Sequence, residues 1–237
     1  MALPKVMSSR YSTTLPSTGQ TIEYRPYVVK EEKILMIALE TQDQKQIVRA
    51  MKDVVKACVF DDINIRKLTA FDLEWMFLKL RSKSVGERAV VKLKCLEEEC
   101  NGVTDVDIDL ESVKIDGDFD KDKVIKITDD MGVTVRYPSV DDLAKYDTQK
   151  LNSFQGAVEM IVDCIDTIYD DENVYDTKDE KREDVVDFLE SLSSTQFKKI
   201  ADWFQSMPTV ADVVEYNCMA CGKKQELELR GIQSFFT

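Results

Sequence analysis

The chain has 237 residues, 43% of them hydrophobic and 32% charged, enough apolar content for a sizeable core. Its net charge of −13 argues against a surface that tracks nucleic-acid phosphates, which requires local basic excess. There is no histidine, which removes Ser-His-Asp and Cys-His catalysis, histidine-bearing zinc catalysis and the two-histidine iron triad together.

The amino terminus lacks an apolar stretch of signal-peptide length, and no apolar run approaches the ~20 residues of a membrane helix. The expected location is therefore inside a cell, where six cysteines are expected as reduced thiols. Residues 11–27 predict a hairpin around Pro16-Ser17-Thr18-Gly19, either packed on the helices that follow or offered as an arm to a partner. From Lys30 the period is helical. Ile34, Leu35, Ala38 and Leu39 form one stripe, and Ile47, Val48, Met51, Val54 and Val55 form another after a polar break at 41–44. A third helix is predicted from Thr69, which stands in capping-box spacing with Asp72, to the basic turn before Gly86. Its dense apolar content suits burial on more than one side.

After Gly86 the pattern becomes extended. Strands are predicted on either side of Cys95 and Cys100, and Ile125, Ile127, Val133 and Val135 alternate around the turn at 129–132. Ser139 and Asp142 mark a new helix start, with Leu151, Phe154, Val158, Ile161, Val162 and Ile165 expected to face inward. A calcium loop from Asp116 fails because Lys121 and Ile127 stand where its glycine and final glutamate should be, and Asp170-Asp171-Glu172 lacks the glycine as well, so the acidic stretch 163–187 reads as a solvated loop. Two more helices are expected near 185–192 and 195–206, ended by Pro208, before an extended segment delivers the chain to Cys218.

The expected fold is α+β: two mainly helical parts with a central β insert, and a zinc-ribbon-like module joining the middle of the chain to the carboxyl end. The expected division is 1–86 for the hairpin and first helical part, and 87–137 for the β insert with the first cysteine pair. Residues 138–208 would be the acidic helical part, and 209–237 a knuckle and tail packing on the insert.

Cys218 and Cys221 form a Cys-x-x-Cys followed by Gly222, and the partner pair is Cys95 and Cys100, about half the chain away. Four thiolates on two turns flanked by strands suit one closed structural zinc ion. Metal-free reduced thiols, or an oxidised pair, remain the alternative. Cys58 and Cys164 lie on apolar helical faces and read as ordinary buried thiols. No phosphate loop, nucleophile elbow or isolated carboxylate pair is present, so no enzyme is expected.

The stretches LPSTGQTIEYRPYVVKEEKILMIALE, FDLEWMFLKLRSKSVGE and CGKKQELELRGIQSFF resemble the baseplate hub subunit family of T-even-like contractile-tailed bacteriophages. The resemblance implies a non-enzymatic late viral protein, a hub component or a chaperone-like assembly factor. It would act on other baseplate hub proteins in the host bacterial cytoplasm and could remain in the virion tail. It implies no site residues. Ile232, Phe235 and Phe236, beyond the second cysteine pair, read as a docking surface or as a tail folded back on the ribbon. The alternative function is a zinc-ribbon nucleic-acid-binding or transcription-associated module, for which Lys223 and Lys224 supply a small basic tip.

Overall fold

The computed structural model describes residues 8–41, 43–119, 121–143, 145 and 153–235, and the fold is mixed helix and sheet, as α+β. Strand β1 (Tyr11–Thr14) pairs antiparallel with β2 (Thr21–Tyr24). Gly19, at φ 68°, donates its N–H to the carbonyl of Leu15 and closes the predicted turn. The hairpin is docked: Leu15, Ile22 and Tyr24 are buried, and the Trp75 indole N–H donates to Thr13 Oγ1 at 3.1 Å.

Helices α1 (Val29–Glu40) and α2 (Gln44–Cys58) follow, with the predicted break between them. The Thr41 hydroxyl donates to the Ala38 carbonyl at the end of α1, and Asp43 caps α2 by accepting from the Lys45 N–H. The stripe expected on α1 needs correction. Leu35 and Ala38 are buried, whereas Ile34 is 40% and Leu39 50% exposed. The helix is turned by Glu31, whose buried carboxylate accepts from Arg25 at 3.0 Å and from the Val28 N–H at 2.9 Å. This centres the buried face on Glu31, Leu35 and Ala38.

Helix α3 (Ala70–Ser84) starts at the predicted capping box, with Thr69 and Asp72 exchanging hydrogen bonds. It separates two buried clusters. Leu73, Met76, Phe77, Leu78 and Leu80 face the first, together with the hairpin, α1 and α2, while Phe71 faces the second. Strands β3 (Arg88–Lys94) and β4 (Val103–Asp109) pair along their full length, and strict alternation puts Ala89, Val91, Leu93, Val106 and Ile108 into the first cluster.

Glu111, just after β4, ties this hairpin to α3. It accepts from Ser82 Oγ at 2.5 Å and Lys79 Nζ at 3.0 Å. Burial alone would raise its pKa, but these donors and Lys83 bring it down from 4.5 to about 2. A depressed carboxylate stabilises the fold above its unfolded pKa, and that contribution fades as pH falls from 4.5 towards 2. Glu111→Gln is accordingly expected to flatten the acid limb of a stability-versus-pH curve over that window, measured by urea unfolding.

Strand β5 (Lys114–Asp116) comes next, then β6 (Val124–Lys126) and β7 (Gly132–Val135) as the predicted hairpin. Ser139 caps α4 (Val140–Leu143), a single turn, and Asp142 accepts from the Ser139 N–H and hydroxyl and from Arg136. Helix α5 (Phe154–Asp163) buries Ile161 and Val162. Two expectations here are overturned, and Leu151 lies outside the described residues. Phe154 is 77% exposed, because it sits at the first turn of α5 beyond the cluster. Ile165 is buried, but in a strand: β8 (Ile165–Tyr169) pairs with β7 and with β9 (Val174–Asp176), so the acidic stretch contains a β-hairpin. The resulting sheet has the order β6-β7-β8-β9.

Helices α6 (Arg182–Ser191) and α7 (Ser194–Gln205) match the two expected at 185–206. They cover this sheet with Val185, Leu189, Ile200, Trp203 and Phe204. Tyr137 stacks on Trp203 at 5.0 Å and meets Phe71 edge-on at 5.2 Å, joining the second cluster to α3. Finally β10 (Thr209–Asn217) runs antiparallel to both β5 and β11 (Lys224–Arg230), in the order β11-β10-β5. Among the described residues no helix is long and apolar enough to cross a membrane.

Candidate metal centre

Two hairpins bring the four predicted cysteines together. The β3–β4 turn carries Cys95 and Cys100, with the Cys95 N–H donating to the Gly102 carbonyl at 2.9 Å and the Cys100 N–H to the Glu97 carbonyl at 3.0 Å. The β10–β11 turn carries Cys218 and Cys221. There the Cys218 N–H donates to the Lys223 carbonyl at 2.9 Å and the Gly222 N–H to the Cys218 carbonyl at 2.8 Å, with Gly222 at φ 72°. That left-handed glycine turns the chain so that both sulfurs of the Cys-x-x-Cys point the same way.

The sulfurs of Cys95 and Cys221 are 3.8 Å apart, those of Cys100 and Cys218 also 3.8 Å, and all four lie within 4.8 Å of one another. A disulfide would need about 2.05 Å, and all six cysteines are free thiols. A tetrahedron of sulfurs each about 2.3 Å from a central zinc has edges of about 3.8 Å. The donor chemistry and the spacing therefore fit such an ion.

The two turns are braced against each other by hydrogen bonds that involve no sulfur. The Met219 N–H donates to Thr104 Oγ1 at 3.0 Å, the Leu96 N–H to Gln225 Oε1 at 3.2 Å, and the Tyr216 hydroxyl to the Lys94 carbonyl at 2.9 Å. Thr104 and Gln225 are both buried. Sequence reasoning missed these three side chains, because a polar residue at a buried strand position shows its purpose only when its partner is known.

Electrostatics distinguish the thiols. The N–H groups of Cys221 and Ala220 draw the Cys218 thiol down to about 6. The Glu97 N–H pulls Cys95 the same way, but desolvation and the three neighbouring thiols push it up to about 12. Four thiolates in so small a space repel one another, and a dication would remove that repulsion. Cys58 and Cys164 are buried elsewhere, pushed up to about 11 and about 12 chiefly by burial, as inert thiols should be.

Gly102 marks the closest approach of the two turns. A Cβ there would lie 2.7 Å from Ala220 Cβ and 2.8 Å from Cys218 Sγ. Gly102→Ala is expected to force the turns apart, costing about 1–3 kcal/mol of stability by overpacking. Urea unfolding measures that loss, and thiol titration should show the cysteines reacting faster.

The basic tip expected of a nucleic-acid finger is already matched by carboxylates. Lys223 meets Glu97 at 2.6 Å and Lys224 meets Glu215 at 2.6 Å. The tail also needs correction. Ile232 and Phe235 are 5% and 1% exposed, packed in the first cluster beneath β3 and α3, and cannot present a docking surface. Their burial follows from β11, which runs back along β10 and returns the chain to the core. Phe236 lies outside the described residues.

A family profile described as T4 bacteriophage base plate protein matches residues 8–237. The chain belongs to that family. It is 25% identical over 219 residues, 92% of its own length and 93% of the relative's, to the Baseplate hub assembly protein gp26 of Enterobacteria phage T4. No solved structure matches it significantly. The family agrees with the resemblance carried by the amino-terminal and carboxyl-terminal stretches, and it extends that resemblance across the acidic middle of the chain.

Proposed function

We propose that this chain is a non-enzymatic component or assembly factor of a phage baseplate hub, acting through contacts with other hub proteins, and that its four cysteines hold a structural zinc ion. The observation that carries the first part is similarity over nearly the whole length to a baseplate hub assembly protein. The second part is supported by four thiols at tetrahedral spacing on two braced turns. In this reading Cys95, Cys100, Cys218 and Cys221 ligate the ion, which closes the β3–β4 and β10–β11 turns into a zinc-ribbon-like module. A filled tetrahedron of thiolates leaves no open position for a substrate, so the ion would be structural.

The protein would be made with the other tail proteins and work in the host bacterial cytoplasm, before or while taking its place in the tail. The test is a phage whose copy of this chain is silenced. Hub proteins accumulating unassembled, with assembly restored when the chain is supplied at stoichiometric amounts, is the expected result. Normal baseplates without it would overturn the reading.

A further inference from the structure

We propose that the basic cleft between the parts of the molecule that hold the two buried clusters is the docking site for a short acidic peptide segment of a partner protein. One wall belongs to the first part: the β1–β2 turn at Thr18 and the single 3-10 turn Ile65–Lys67, which carries Arg66 and Lys67. The other wall belongs to the sheet of the second part, with Lys123 just before β6 and Lys178 just after β9. Backbone hydrogen bonds join the two, the Val140 N–H donating to the Leu68 carbonyl at 2.9 Å and the Ala70 N–H to the Pro138 carbonyl at 3.2 Å. The space between the walls is about 730 Å³, within the ~300–1,000 Å³ of ligand-binding clefts and far more than a lone inorganic anion fills.

The lining runs against the charge of the chain. In a protein of net charge −13 it gathers five cations, these four and Arg136, against two carboxylates, Asp141 and Asp166. Arg136 is committed within the wall, donating to Asp142 and to the Asp163 carbonyl, both at 2.6 Å. The other four are available. Among the described residues Lys67 and Lys123 have no carboxylate partner, and Lys123 rests over the Tyr137 ring. Arg66 stands 4.0 Å from Asp141 with 75% of its side chain exposed, and Lys178 3.9 Å from Asp176 with 76% exposed. Exposed pairs as loose as these add little to stability, so folding does not explain the cluster. A cleft that concentrates one sign of charge attracts the opposite sign, here carboxylates in the manner of other acidic-motif sites.

Two features select a peptide over a nucleic acid. Asp141 and Asp166 keep accessible oxygens in the lining, with side chains 44% and 36% exposed. They repel a phosphodiester backbone, which offers only acceptors, but accept from the N–H groups of a peptide. Outside the cleft, the excess of 45 acidic over 32 basic residues repels a long polyanion, whereas a short segment meets the cleft alone. Only the source of the segment, another hub protein, rests on the proposed function.

The test is fluorescence anisotropy of a short labelled peptide alternating Glu with Ala, titrated with the full chain at low and at physiological salt. The same peptide with Gln for Glu, and an oligothymidylate of similar length, are the comparison probes. The Glu peptide is expected to bind at low salt and more weakly at physiological salt, and about tenfold or more tighter than either comparison probe. Lys67→Glu with Lys123→Glu should weaken it at least about tenfold, with circular dichroism confirming the fold. Lys30→Glu with Lys33→Glu, the same change of net charge at exposed positions on α1, should leave binding nearly unchanged. A Glu peptide that fails to bind at low salt, equal losses in the two double variants, or a preference for the oligothymidylate would each overturn the proposal. None of these outcomes alters the result expected of the silenced phage, so the two readings fail separately.

Discussion

Asp72→Ala is expected to lower the unfolding free energy by about 2–3 kcal/mol, the cost of removing a buried carboxylate that accepts several hydrogen bonds. Asp72 is 0% exposed and its carboxylate serves two elements at once. It accepts from the Thr69 N–H at 3.3 Å and hydroxyl at 2.7 Å, closing the first turn of α3. It also accepts from the Ser17 N–H at 3.0 Å and hydroxyl at 2.5 Å, pinning the β1–β2 turn to the same spot. Alanine takes the shared acceptor from all these donors, which belong to half-buried residues. Asn, which keeps the shape but offers one acceptor oxygen, should recover part of the loss. Equilibrium urea unfolding of the two variants measures both effects. A loss under about 1 kcal/mol for Asp72→Ala would mean that the hairpin is held by its apolar contacts alone.

The second large effect concerns the cysteine site. Cys218→Ser removes the thiol whose proton is most easily lost and opens the set of four. Zinc sites contribute of order 10 kcal/mol to small zinc-dependent peptides. Here the loss should be smaller, about 3–5 kcal/mol, because Val210, Val214, Tyr216 and Leu229 anchor β10 and β11 in the first cluster regardless of the ion. A chelator should destabilise the wild type by a similar amount and leave Cys218→Ser unchanged. Equal sensitivity of both proteins to the chelator would show that stability does not pass through these thiols.

The legible parts of this fold were those in which local chemistry and tertiary environment agree. Thr69 with Asp72, Ser139 with Asp142, Gly19 and the alternation of β3 and β4 each state their role within a few residues. The four cysteines were legible for another reason: thiol pairs at turn spacing have few other uses in a histidine-free chain. The failures lie where a distant partner decides. Ile165 ends a helical-looking run, yet β7 offers it an edge and it becomes a strand. Ile34 and Leu39 look like core, but the Arg25–Glu31 pair turns α1 so that they face outward. Ile232 and Phe235 look like an exposed tail, and only the return path of β11 shows that they are buried.

The account turns on whether the two cysteine turns are closed by an ion, and native mass spectrometry with elemental analysis tests this most directly, on protein purified without added metal. The expected result is one zinc per chain, absent from Cys218→Ser. A wild-type chain carrying no metal and four freely titrating thiols at this site, or carrying iron in place of zinc, would contradict it.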